Sequence, residues 1–111
     1  MSQYVTYDDF ARLDIRIGKV LKAERVEGSR RLLRLEVDVG GEVRQIVAGI
    51  AERYRPEDLV GKKVVVLVNI QPRKIFGIES QGMLLAADVE GKPYLLTVDN
   101  PDEVPVGSKV R

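Results

Sequence analysis

Apolar and polar residues alternate through Leu33–Val39, where leucines and valines at odd positions are separated by charged residues. This spacing is typical of a strand with one buried face. Gly40-Gly41 follow and predict a tight hairpin, so that Val43–Ile50 returns as the next strand. Upstream, Ile15–Val26 alternates until Gly18 interrupts the pattern, and a glycine within a strand often marks a bulge or a bend. We therefore expect a long, bent first strand and then a β-hairpin.

The remaining apolar segments predict shorter elements. Thr6 can cap a short helix that continues to Leu13, because acidic residues occupy its first turn. A second short helix is expected within Ala51–Leu59. Further strands are expected at Lys62–Val68, Gln81–Val89 and Tyr94–Val98. The tail, Asp99–Arg111, keeps three valines, and we expect it to pack along the body of the domain.

This order of elements predicts an all-β fold. Five or six short strands with one helix between the third and the fourth fit a small closed barrel of the OB-fold type, and a β-sandwich is the alternative. The 111 residues contain no internal repeat and no linker, and they suffice for one hydrophobic core. We expect residues 1–111 to form a single domain.

The composition excludes most catalytic chemistry. The chain has no histidine and no cysteine, so Ser-His and Cys-His pairs, histidine metal sites and disulfides are ruled out. Glycine-rich phosphate motifs are also missing from the sequence. We therefore expect no enzyme activity, no cofactor and no metal. No apolar run approaches the roughly 18 residues of a membrane span, and no signal peptide is evident, so we expect a cytoplasmic location.

The charge is unevenly distributed although the net charge is only +1. Lys19–Arg34 carries six cations against two acids, and Lys62–Lys74 carries four cations and no acid. A chain that is basic in two segments can present a phosphate-binding face. The alternative is that these cations lie on solvated strand edges, where lysine deters aggregation.

The segment Asn69–Ala87 connects two apolar runs, and we expect a binding loop there because such residues concentrate on loops held by a rigid scaffold. The predicted second and third strands, 32–50, contain no aromatic residue, which favours a folded RNA held through phosphates, riboses and shape over generic single-strand stacking. Phosphate contacts are expected from Arg31, Arg34, Arg73 and Lys74. Hydrogen bonds to a ribose or a base edge are expected from Asn69, Ser80 and Gln81. An apolar platform for a splayed base is expected from Phe76 and Met83.

Four of the five non-cationic assignments have an alternative. Met83 begins an apolar run and is as well suited to the core. Phe76 could fold inward over the mouth of the barrel. Asn69 and Ser80 could fix the segment through backbone hydrogen bonds, as such side chains commonly do.

The sequence resembles the tRNA-binding domain family, found at the C-terminus of many methionyl-tRNA synthetases and as free-standing proteins. The matching pieces are Asp14-Ile15-Arg16-Ile17-Gly18, Leu32-Leu33-Arg34-Leu35, Arg44-Gln45-Ile46-Val47-Ala48-Gly49-Ile50, Asn69-Ile70-Gln71-Pro72-Arg73-Lys74 and Glu79-Ser80-Gln81-Gly82-Met83. Gly28-Ser29-Arg30-Arg31 departs from the Asp-Lys that relatives often carry before Leu-Leu.

The resemblance implies an OB barrel whose central loop faces tRNA. It also implies a non-catalytic module, either a free-standing homodimer or the small (beta) subunit that accompanies a methionyl-tRNA synthetase catalytic subunit. The alternative is a chaperone that binds unfolded polypeptide, similar to the CsaA family, whose central loop tends to be more apolar.

Overall fold

The computed structural model describes residues 3–111. The helices of this part of the chain are α1 (Tyr7–Ala11), α2 (Pro56–Leu59) and a 3₁₀ helix (Pro101–Glu103). Its strands are, in chain order, β1 (Ile15–Arg25), β2 (Leu33–Asp38), β3 (Val43–Ala48), β4 (Lys63–Leu67), β5 (Arg73–Ile75), β6 (Ile78–Ser80), β7 (Met83–Leu84), β8 (Ala86–Val89) and β9 (Lys92–Leu95).

Five antiparallel strands form a nearly closed barrel in the order β3-β2-β1-β4-β7. The long β1 serves two neighbours, because Ile15–Lys19 pairs with β4 and Lys19–Arg25 pairs with β2. The gap between β3 and β7 is bridged by the segment before β7, where the Gln81 N–H donates to the Gln45 carbonyl at 2.7 Å. The predicted all-β barrel, with one helix before it and one between the third and fourth strands, is confirmed, and the arrangement is consistent with an OB-type fold.

The irregularity in β1 lies later than the sequence indicates. The register with β2 shifts between Val20 and Lys22, not at Gly18. Gly18 instead lies where a side chain would not fit. A Cβ built there would lie 2.8 Å from Val37 Cγ1 and 3.2 Å from the Asp38 carbonyl oxygen. The missing side chain lets β1 cross closely over β2, so the glycine permits tight packing while the bulge supplies the bend.

The alternation of apolar and charged residues in β2 determines which of its side chains enter the barrel core. Leu33, Leu35, Val37 and Val39 are all fully buried and pack with apolar residues of β1, β3 and β4. The predicted hairpin at Gly40-Gly41 is also confirmed, since both glycines adopt positive φ angles of 89° and 87°. A two-residue turn with positive φ at both central positions matches the right-handed twist of the strands it joins.

A second, smaller core lies on the outer side of β1. Ile15 and Ile17 face outward there and are covered by Phe10 of α1 and by valines of the tail. The tail runs beside β1, where the Gly107 N–H donates to the Ile17 carbonyl at 2.7 Å and the Val110 N–H donates to the Ile15 carbonyl at 2.8 Å. The expectation that the tail packs along the body is confirmed.

Three predicted elements have clearly different limits in the structure. The strand expected over Tyr94–Val98 is β9, which begins at Lys92 and ends at Leu95. The helix expected within Ala51–Leu59 is confined to the four residues of α2, after a series of turns. The strand expected over Gln81–Val89 is divided into β7, which belongs to the barrel, and β8, which pairs with β9 in a separate hairpin. The division falls at Leu85, whose N–H donates to the Val65 carbonyl while its own carbonyl accepts from Leu96, both at 3.0 Å.

Candidate nucleic-acid interface

The segment expected to be a loop contains a β-hairpin. Strands β5 and β6 pair through Arg73–Ser80, Lys74–Glu79 and Ile75–Ile78, and Phe76-Gly77 form the turn. Both turn residues have positive φ angles, 55° for Phe76 and 79° for Gly77. A bulky residue at positive φ is a genuine outlier, and such backbone strain concentrates at ligand-binding sites.

The Phe76 ring is 60% exposed at the tip of this hairpin. A Cβ built on Gly28 would lie 3.5 Å from the ring, so the ring reaches the turn between β1 and β2 without being covered by it. Met83, at the start of β7, is 41% exposed. The structure therefore places both apolar candidates at the surface, not in the core.

Asn69 anchors the start of the hairpin segment. Its Oδ1 accepts from the Asp14 N–H at 2.8 Å, and its Nδ2 donates to the Arg12 carbonyl at 2.7 Å. The side chain thus joins the end of β4 to the segment before β1. This is the backbone role that stood as the alternative to an RNA contact.

Ser80 and Gln81 attach the hairpin to β3. The Ser80 hydroxyl is buried, with the residue only 4% exposed, and it accepts from the Val47 N–H and donates to the Gly82 carbonyl, both at 3.0 Å. Gln81 Oε1 accepts from the Gln45 N–H at 3.1 Å, and Gln81 Nε2 donates to Glu79 Oε1 at 3.1 Å. These hydrogen bonds are the backbone role that stood as the alternative for Ser80, and Gln81 is held by its contacts with Gln45 and Glu79. RNA contact by either residue stays a prediction.

Arg34 is surrounded by partners on the outer face of β2. Its Nη1 donates to Glu24 at 3.0 Å and its Nη2 donates to Glu36 at 3.1 Å. Its Nε donates to Gln45 Oε1 at 2.7 Å. Two carboxylates compensate this guanidinium within the sheet, which disfavours Arg34 as a phosphate ligand, and the expected contact stays a prediction.

Arg31, Arg73 and Lys74 remain as exposed cations. Within residues 3–111, none of the three has a carboxylate oxygen within the 4.0 Å of an ion pair. By strand alternation Arg73 lies on the face of the hairpin that carries Ser80, and Lys74 lies on the opposite face with Glu79. The hairpin therefore presents a positive charge on each of its faces.

A groove of about 450 Å³ joins these elements. Arg31, Arg73 and Met83 all line it, so three of the nine candidates meet at one surface. The rest of its wall is mostly apolar and comes from β3 and the residues after it, from β5 and from the β8–β9 hairpin, including Ile50, Ile75, Pro93 and Leu95. Such a groove can hold an apolar or aromatic face while the two arginines engage anionic groups.

Two functional supports were not predicted as site residues. Gln45 joins Arg34 to the hairpin, because its Nε2 donates to the Glu79 carbonyl at 2.8 Å. Arg44 Nη1 donates to the carbonyls of Val68 and Gln81 at 3.1 and 2.9 Å and so ties both ends of the hairpin segment together. Their adjacency after the Gly40-Gly41 turn is visible in the sequence, but the partners of Arg44 lie 24 and 37 residues away.

Asp14 and Arg16, at the start of β1, form an ion pair that shifts the pKa of Asp14. The hydrogen bonds from the Arg16 guanidinium to Asp14, 2.8 Å at their shortest, hold the pKa of the Asp14 carboxyl below its ordinary value. Partial burial opposes that shift, and Lys109 adds to it. Arg16 also donates to the Val39 carbonyl at 3.1 Å, so the Asp14–Arg16 pair connects the start of β1 to the chain after β2. Asp14 is also the residue whose N–H donates to Asn69.

A barrel that presents exposed cations and apolar side chains along an open groove belongs to the class of small nucleic-acid-binding modules. A family model described as "Putative tRNA binding domain" matches residues 15–109, and the chain belongs to this tRNA-binding domain family. Domains of this family bind and do not catalyse. Within residues 3–111, no helix is long and apolar enough to cross a membrane.

Curated relatives are ligases. The chain is 60% identical over 106 residues to the methionine–tRNA ligase of Thermotoga maritima, and 52% identical over 107 residues to that of Caldanaerobacter subterraneus. Each alignment covers 96% of this chain but only 16% of the ligase. The chain therefore spans a small part of the length of these relatives.

Two solved structures align with nearly the full length of this chain. A "MetRS related protein" from Pyrococcus horikoshii has a TM-score of 0.91 and 45% identity, with 99% of this chain and 100% of that chain covered. The chaperone CsaA from Bacillus anthracis has a TM-score of 0.86 and 35% identity, with 97% and 99% covered. The resemblance drawn from the sequence motifs is confirmed.

Proposed function

We propose that the chain holds folded tRNA through its phosphates and shape, using Arg31, Arg73 and Lys74. The observation that supports this most is that these three exposed cations have no acidic partner among residues 3–111, and that Arg31 and Arg73 line one groove, while Arg34 is paired with two carboxylates. Arginine can grip a phosphate in bidentate fashion and lysine acts as a point charge. Phe76 at the hairpin tip and Met83 in the groove wall offer apolar surface for an unstacked base.

We further propose that no chemistry accompanies this binding and that residues 1–111 act as one domain. Two molecular contexts suit such a domain: a free-standing tRNA-binding protein, which is the first setting, or the small (beta) subunit of a methionyl-tRNA synthetase, which is the second. The Pyrococcus horikoshii protein, covered over its full length, supports the first setting. The ligases, of which only 16% is matched, support a partnership with a synthetase catalytic subunit. Either setting goes with a cytoplasmic location and no cofactor.

We also propose a homodimer. All four residues of β8 are exposed, so one side of the β8–β9 hairpin is uncovered in the single chain. The valines of the tail are used in the outer core. Val5 and Tyr7, by contrast, are more than 70% exposed at the N-terminus. A second copy covering these surfaces would place two cationic faces on one body and raise avidity.

The second candidate function is a CsaA-like chaperone that binds unfolded polypeptide. The likeness to the Bacillus anthracis chaperone, with a TM-score of 0.86, favours it. The hairpin opposes it, because Arg73 and Lys74 stand where an apolar surface would be needed.

The two functions are separated by one experiment. The purified protein is titrated with bulk tRNA, and separately with a reduced, unfolded polypeptide, at several salt concentrations. We expect tRNA binding whose affinity falls steeply with salt, since each phosphate contact releases counterions. Binding of the polypeptide with no tRNA binding at low salt would establish the chaperone function instead. Light scattering of the same sample tests the dimer, and a mass of one 12.4 kDa chain would reject it.

A further inference from the structure

Glu79 stands directly opposite Lys74 in the hairpin and yet does not pair with it. The two residues are cross-strand partners. In a two-residue hairpin this second pair is of the non-hydrogen-bonded kind, which brings the side chains closest. Opposite charges at such positions normally attract, but the described residues show no ion pair between them.

The glutamate is held elsewhere by two glutamines. The Gln81 amide donates to Glu79 Oε1 at 3.1 Å, so the carboxylate is turned along its own strand. The Gln45 amide donates to the Glu79 carbonyl at 2.8 Å and attaches that backbone to β3. Gln81 is itself anchored, since its Oε1 accepts from the Gln45 N–H at 3.1 Å and its own N–H donates to the Gln45 carbonyl at 2.7 Å.

From this arrangement we infer that Gln81 is a positioning residue: it retains the Glu79 carboxylate and so keeps Lys74 available to RNA. Glu79 is then a competitor for Lys74 within the same molecule, and Gln45 fixes the backbone from which it would compete. The inference rests on the proposed tRNA-binding function, but it assigns Gln81 a role with no RNA contact. A phosphate needs the lysine unpaired, because a carboxylate already at the ammonium cancels the attraction.

The test removes the retaining amide. Gln81→Met keeps the length of the side chain and loses the donor to Glu79. We expect the affinity for bulk tRNA at low salt to fall about fivefold, the upper range for one opposite-charge cross-strand pair. The slope of log affinity against log salt should drop by about one, because Lys74 no longer engages a phosphate. Gln3→Met, the same substitution at an exposed residue far from the hairpin along the chain, is the matched control and should change neither quantity.

Rescue at Glu79 distinguishes positioning from a general loss of structure. In the double variant Gln81→Met with Glu79→Gln, no carboxylate remains to compete, and tRNA affinity and salt slope should return to those of the wild type. If Gln81→Met weakens binding and the double variant does not recover, the glutamine supports the hairpin only and the inference is overturned. Unchanged binding by Gln81→Met overturns it as well. Gln81→Asn serves as the milder variant if the methionine variant does not fold.

The failure of this inference and that of the proposed function give different results. If the double variant Arg73→Ala with Lys74→Ala weakens tRNA binding while Gln81→Met does not, the hairpin is still assigned to tRNA binding and only the role of Gln81 is rejected. If neither change affects binding, both proposals fail together.

Discussion

The Ser80 hydroxyl accepts a hydrogen bond of 3.0 Å from the backbone N–H of Val47, and this contact joins the cationic hairpin to the edge of the barrel. Both residues are buried, so removal of the hydroxyl leaves the Val47 N–H without this partner. The hairpin that we propose as the RNA interface therefore owes its position to a polar contact inside the protein.

Ser80→Ala should lower the free energy of unfolding by about 1–3 kcal/mol, the cost of leaving a buried N–H unsatisfied. Urea denaturation followed by circular dichroism measures this. Ser108→Ala is the control: its hydroxyl donates to the Pro105 carbonyl at an exposed turn, and we expect a change within about 0.5 kcal/mol. Equal stability of the Ser80 variant and the wild type would contradict the buried role.

Replacing Arg73 and Lys74 together by alanine should weaken tRNA binding at low salt and reduce the salt slope by about two, because each side chain neutralises one phosphate. Filter binding at four or more salt concentrations gives both quantities. Arg55→Ala is the control, because Arg55 is an exposed cation already paired with Asp58 at 3.0 Å. A double variant that keeps the wild-type slope would remove the hairpin from the RNA interface.

Alanine variants of Arg31 and Arg34 should have different effects, the first on tRNA binding and the second on the stability of the fold. Arg31→Ala removes an exposed cation beside the groove, so tRNA affinity and salt slope should fall while the melting temperature stays the same. Arg34→Ala leaves Glu24, Glu36 and Gln45 without their shared donor, and we expect a loss of about 1–2 kcal/mol of stability with the salt slope retained. The opposite pattern, with Arg34 controlling the salt slope, would show that RNA displaces its carboxylate partners.

Stability should decline in acid partly through Asp14. The Arg16 hydrogen bonds lower the pKa of this carboxyl in the folded protein, so the folded state binds the proton less readily than the unfolded chain. The stabilisation is therefore complete above the unfolded pKa of about 3.9 and is lost as the pH falls through the lower folded pKa. Unfolding of the wild type and of Asp14→Asn, measured from pH 6 to pH 2, should differ most at pH 6 and converge in acid. A difference that is independent of pH would exclude this linkage.

Local patterns in the sequence predicted the strands and their turns, and the family resemblance favoured a barrel over a β-sandwich. The alternation in Leu33–Val39 determines which side chains enter the core, and Gly40-Gly41 allows a tight turn whose backbone takes positive φ. The absence of histidine and cysteine removed the chemistry of most active sites. The motifs around Asn69 and Glu79 were enough to indicate the family.

Tertiary structure decided which of the candidate residues are available to a ligand. Arg34 and Arg31 are alike in sequence, but the register of β1 against β2 sets Glu24 opposite Arg34. Ser80 is polar and lies beside exposed residues, but closure of the barrel sets it against Val47, 33 positions away. The physical reason is that spacing along a chain specifies faces and turns, whereas the charge and exposure of a side chain depend on partners brought together only when distant strands pair.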